Sequence, residues 1–229
     1  MNALKGISSM ATRQVLNELA HAYAQRSQQP VEVESVGGVD AAKRVAAGEA
    51  FDFVVLAADA IDQLIGTGQV RAGSRVDLVD SSVAIAVQAG APRPDVSSEE
   101  ALKRAVLAAS TIGYSTGPSG VALVKLFERW GIAPELKGRL VQAPPGIPVG
   151  ALVARGEVAL GFQQLSELIH LQGITLVGPM PAAVQITTTF SGGICASSSR
   201  VEAVRAMLAF MASPDAEAAK RRNGMEPAA

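Results

Sequence analysis

SSVAIAVQAG, residues 81–90, is a long apolar run with the β-branched and small residues of a strand buried on both faces. A second such run, VQITTTFSGG, covers residues 184–193. Between them lies a self-contained series of short strands and helices. The segments before the first run and after the second read as two parts of one further unit. Two lobes joined by two crossover strands have this pattern, which divides the chain into residues 1–84 with 188–229 and residues 85–187. A single doubly wound sheet is the simpler alternative.

Strand and helix signals alternate along the rest of the chain. LKGISS (4–9) reads as a strand, followed by a helix over 10–26 with Ser9 as its cap and Val15, Leu16, Leu19 and Tyr23 on one face. VEVESV (31–36) is a strand and 40–47 a helix. FDFVVLAA (51–58) is an apolar strand and 60–67 a helix. Ser97 or Ser98 opens the helix of EEALKRAVLAA. TIGYS (111–115) is a strand, and 121–130 a helix closed by Gly131. GRLVQAP, VALGFQQ and ITLVGPMP supply further strands, GALVARGE and LSELIHLQ short helices, and 200–211 and 215–223 the closing helices. The alternation predicts an α/β fold with a mostly parallel sheet.

The 229 residues are 48% hydrophobic and 18% charged, enough apolar material for a sizeable core. The net charge of −1 and the 4% aromatic content argue against nucleic-acid binding. No apolar run is long enough to enter a bilayer as a spanning helix. One cysteine and two histidines leave no structural zinc set, and neither GxGxxG nor GxxxxGK[ST] occurs, so no metal and no cofactor is expected. The start, MNALKGISSMATRQVL, has no basic segment followed by an apolar one. As it stands this predicts a cytoplasmic protein, or a periplasmic one if the sequence is trimmed.

Small, polar residues collect where strands turn into helices: Ser8 and Ser9; Gly37 and Gly38; Tyr114 to Gly120, with Ser115, Thr116 and Ser119; the loop PPGIP with Ile147; and Gln163 with Gln164. Hydroxyls, amides and backbone N–H groups at helix starts bind anions without a formal positive charge. Each has a plain structural reading as well: Ser9 and Ser119 as caps, and the glycine pair as a tight turn. Tyr114 is the one titratable residue among them and the one candidate for catalysis. His21 reads as solvated, His170 as a helix residue, Cys195 as core, and Arg71, Arg75, Arg93 and Arg104 as surface charges.

Four stretches, GISSMATRQVLNELAHAYAQ (6–25), AAKRVAAGEAFDFVVLAADAIDQLIGTGQV (41–70), SGVALVKLFERWGI (119–132) and GALVARGEVALGF (150–162), resemble the periplasmic molybdate-binding protein family, the substrate-binding components of ABC transporters for oxyanions. The resemblance covers nearly the whole chain. It implies the type 2 periplasmic-binding fold, with a ligand cleft between two lobes. It also implies an anion held by hydroxyls and backbone N–H groups. The family's first-strand serine falls on Ser9, the helix-start N–H on Ser119, and the next backbone donor near Ile147 or Pro148. Its second serine falls on Gly37 or Gly38, and its tyrosine on Gln164. Two side-chain donors are thus changed, which implies a site altered away from molybdate and suited to an organic carboxylate. Binding of such a small anion is the expected function. The alternative is a cytosolic isomerase that converts trans- to cis-aconitate, since aconitate isomerase is similar to this same family.

Overall fold

The computed structural model describes residues 2–228. In chain order the elements are β1 (Leu4–Ser9), α1 (Arg13–Ser27), β2 (Val31–Val36), α2 (Gly38–Ala46), β3 (Phe53–Ala57), α3 (Ala58–Gly66) and β4 (Val76–Gln88). They continue with α4 (Glu99–Ala108), β5 (Ile112–Tyr114), α5 (Pro118–Arg129), β6 (Leu140–Gln142), α6 (Val149–Ala154), β7 (Leu160–Gln164) and α7 (Leu165–Leu168). The last are β8 (Ile174–Pro179), β9 (Thr187–Ile194), α8 (Val201–Ala212), α9 (Glu217–Arg222) and β10 (Glu226–Pro227). The alternation of strands and helices makes this a mixed α/β protein.

The chain forms two compact units, one running to Ser81 and resuming at Thr188, the other Ser82–Thr187. β4 and β9 both cross that boundary. In the first unit the strand order is β2-β1-β3-β9-β4, with β10 on β4. β1 runs parallel to β2 and β3, whereas β9 and β10 run antiparallel to their neighbours β3 and β4. In the second unit β6, β5 and β7 are parallel, and β4 is antiparallel to both β7 and β8. The sheets are therefore more mixed than the alternation alone predicts: the strands that pass between units enter against the direction of their neighbours.

Each sheet is covered on both faces. α1 turns Val15, Leu16, Leu19, Ala20 and Tyr23 onto a core with Phe53, Val204, Met207, Leu208 and Met211. On the other face Ile7, Val45, Val54, Leu56 and Ile61 pack together. This explains why all five residues of β3 are apolar and buried. Gly6 lets the Phe53 ring cross β1, since a Cβ there would sit 2.2 Å from the ring. In the second unit Leu102, Val106, Leu123, Phe127, Leu160 and Phe162 form the larger core.

Element boundaries differ from the sequence pattern by a few residues. Ser9 caps as expected, but what it caps is a three-residue 3-10 turn, Met10–Thr12, that precedes α1. Ser98, of the two serine candidates, caps α4, accepting from the Ala101 N–H at 3.1 Å. α5 starts at Pro118 and not at Val121, because proline suits the first helical position. No helix among the described residues is long and apolar enough to cross a membrane.

Candidate functional site

In the first unit the parallel register Ser8↔Ser35 and Ser9↔Val36 brings the ends of β1 and β2 to one edge. Ser8 is fully buried, and its hydroxyl lies 2.8 Å from that of Ser35, so it ties the two strands together. Ser9 is half-buried, and its Oγ accepts from the Ala11 N–H at 3.3 Å. A hydroxyl that accepts one bond still has its proton to donate. Gly37 precedes α2 with φ −55° and ψ 136°, so no left-handed turn requires glycine there. What the pair provides is space: a Cβ on Gly38 would lie 3.6 Å from Ser9 Oγ, which places the two loops side by side. Neither Gly37 before α2 nor Ala57 before α3 makes a side-chain cap.

Ser9→Ala removes both the cap and the free hydroxyl proton. Loss of the cap is expected to cost about 1 kcal/mol, and loss of a hydrogen bond to a charged ligand group about 1.5–3 kcal/mol of affinity. Calorimetric titration with an anion should therefore show binding weakened tenfold or more, with only a few degrees' fall in melting temperature.

In the second unit Tyr114, Gln142 and Gln164 end parallel strands at a common edge. α5 leaves that edge with Gly117 as an N-cap that offers no side chain, Pro118 behind it, and no acid in the first turn. The Gly120 and Val121 N–H groups both turn back to the Gly117 carbonyl, at 3.0 and 3.2 Å. The Ser119 N–H stands among the first-turn donors that have no intrahelical acceptor. Ser119 is thus inside the helix, not its cap, and its Oγ lies 3.2 Å from Ser115 Oγ. A Cβ on Gly120 would be 1.9 Å from the Ser115 carbonyl oxygen, so the loop folds directly over this turn. Thr116 is exposed at its tip. Uncapped N–H groups, paired hydroxyls and the absence of an acid suit the N-terminus of α5 to an anion.

The neighbouring loop is arranged differently. The Ile147 N–H donates to the Pro144 carbonyl at 3.0 Å, and Pro148, the N-cap of α6, has no N–H. The Gly150 N–H, in the first turn of α6, donates to Gln163 Oε1 at 3.0 Å. With its oxygen so fixed, the buried Gln163 amide donates from its nitrogen to the carboxyl of Glu167.

Glu167 lies in the first turn of α7. Burial pushes its carboxyl up from 4.5 to about 7, and the bond from Gln163 opposes that only in part. Sequence reasoning missed this residue, since LSELIHLQ reads only as a short helix. The available signal was the absence of any linker between Gln164 and the helix, which keeps Glu167 near the strand end. Tyr114 closes β5, half-buried against the larger core. Cys195 is buried, and its thiol is pushed up to about 12, so it is inert at neutral pH. Arg71 and Arg93 bind backbone carbonyls, and Arg75 pairs with Asp62 and Asp77. Among the described residues no group of acids, histidines and cysteine could hold a metal ion.

Comparison with known proteins adds the family. The sequence pattern of bacterial extracellular solute-binding proteins matches residues 4–226. An aconitate isomerase from a Pseudomonas species is 39% identical over 235 residues, covering 99% of this chain and 88% of that protein. The periplasmic molybdate-binding protein of Azotobacter vinelandii has the same fold, with a TM-score of 0.80 at 20% identity over 97% of this chain and 98% of that one. The sulfate-binding protein SubI of Mycobacterium tuberculosis gives 0.79 at 15% identity over 99% and 87%. The chain belongs to the bacterial extracellular solute-binding protein family.

Proposed function

We propose that this protein is an isomerase of an unsaturated polycarboxylate, interconverting trans- and cis-aconitate. The observation that carries this reading is the full-length, 39% identical relative of that activity. The donor groups are compatible with it. Three carboxylates need several donors and few acids around them, and the Ser9 hydroxyl, the Ser115 and Ser119 hydroxyls and the Ser119 N–H are of that kind.

The reaction moves a C=C bond by one carbon. It needs a base for an allylic proton and electrostatic stabilisation of the dienolate, for which helix N-terminal N–H groups are suited. Incubation with a large excess of trans-aconitate, followed by proton NMR, tests the proposal. Multiple turnovers to cis-aconitate are expected. Saturable binding of trans-aconitate with no turnover overturns the isomerase reading and favours a carboxylate-binding protein, the role the family fold suggests.

A further inference from the structure

Resting on the isomerase reading, we propose that Glu167 is the general base of the reaction and that Gln163 is the residue that positions it. β5 and β7 are adjacent parallel strands, with Ile112 opposite Leu160 and Gly113 opposite Gly161. The Ser115–Gly120 loop and the Gln163–Glu167 segment therefore leave the same edge of neighbouring strands, which are about 4.8 Å apart. Donors for a carboxylate and an acceptor for a proton thus leave one edge of the sheet within one unit, α5 from the face that carries Phe162 and Gln163 from the face of α6.

Gln163 is held at one end by the Gly150 N–H and holds Glu167 with the other, so the carboxyl is fixed through two bonds to the backbone of α6. Among the described residues no charged partner acts on Glu167. β7, α6, β8 and residues 82–88 of β4 carry no titratable side chain. Arg155 and Glu157, which follow α6, pair with each other at 2.5 Å. His170, one turn on from Glu167, is exposed. Desolvation is therefore the main influence on the carboxyl, which ionises near neutral pH, where a general base is most effective.

The step balances within the substrate. The Glu167 carboxylate takes a proton from the methylene carbon of trans-aconitate, breaking C–H and forming O–H. The electron pair spreads over the allyl unit and its carboxylates. Glu167 returns the proton to the former vinyl carbon, and the double bond now joins the central carbon to the former methylene carbon. The carboxylate is regenerated, and no oxidant or co-reactant takes part.

The test compares wild type, Glu167→Gln, Glu167→Asp and Gln163→Leu on trans-aconitate, with folding checked by circular dichroism. Glu167→Gln is expected to lose about 10²–10⁴-fold in kcat and to bind trans-aconitate within a few-fold of wild type. Glu167→Asp should keep part of the rate. In wild type kcat/KM should rise with pH through about 7. Gln163→Leu removes the bond that favours the ionised form, so that limb should move to higher pH, which a purely structural role would not cause. A folded Glu167→Gln protein with wild-type turnover overturns the assignment while leaving the isomerase reading intact. An inactive wild type overturns both. Carbon-detected NMR gives a readout without substrate: a Glu167 carboxyl titrating near 4.5 overturns the assignment.

Discussion

Gly120→Ala is expected to destabilise the protein by about 3 kcal/mol and to remove anion binding at the start of α5. The added Cβ would lie 1.9 Å from the Ser115 carbonyl oxygen and 2.8 Å from its carbonyl carbon. Both are backbone atoms, so no rotamer change relieves the overlap. Either the 115–117 segment lifts away from the helix, or the first turn of α5 unwinds. Each separates Ser115 Oγ from Ser119 Oγ and displaces the Ser119 N–H. Gly117→Ala is the matched control: its Cβ would meet only Ser115 Oγ, at 3.8 Å, and φ is −81°. That change should shift the urea midpoint by less than a quarter of the shift seen for Gly120→Ala. Urea unfolding of the two variants, with titration of trans-aconitate, checks the prediction. Equal midpoints would mean that the loop yields without cost and does not define the donor geometry.

The fold was legible where the side-chain period is strong. The stripe on α1 and the wholly apolar β3 identify themselves, because burial on a helix stripe or on both sheet faces leaves a regular trace. Helices at the candidate site begin two or three residues before the starts the pattern predicts: Gly38 for Asp40, Ala58 for Ala60, Pro118 for Val121. The cause is common to all three. The residues before these helices, Gly37, Ala57 and Gly117, make no side-chain cap, so the usual start signal is missing. That same absence leaves first-turn N–H groups available, so the feature that blurred the boundary at α5 is the one that suits it to an anion. Ser119 shows the reverse: a serine taken for a cap that serves from within the helix. The strand directions and the β10 pairing with Asp80 and Val79 depend on contacts far apart in sequence, which no local pattern encodes. The sequence carries no signal for Glu167 because its chemistry comes from desolvation beside Gln163, and a four-residue helix is too short to show which face is inside.

Glu167→Gln is also expected to make the folded protein more stable than wild type at pH 8, by about 2 kcal/mol, with the two alike at pH 4. The carboxyl in the folded protein is raised to about 7 from 4.5. The folded state therefore holds its proton more tightly than the unfolded chain does. Below about pH 4 both states are protonated, and the group's contribution is fully present. As pH rises from 4.5 the unfolded chain ionises first and gains stability relative to the fold. The loss is complete once pH has passed through about 7, where the folded carboxyl ionises as well. A displacement of this size corresponds to about 3 kcal/mol, reduced to about 2 kcal/mol because the side chain is only half-buried. Acids held low by partners, such as Asp77 beside Arg75 and Glu18 beside Arg222, act in the opposite direction. They are present in both proteins and cancel in the difference. Urea unfolding of wild type and Glu167→Gln at pH 4, 6 and 8 measures it. A difference that grows with pH would mean that the fold carries an ionised group at a cost, the condition expected of a base kept ready for proton transfer. A difference flat across the range would place the carboxylate in water, and a carboxylate in water ionises too readily to be an effective base for a carbon acid near neutral pH.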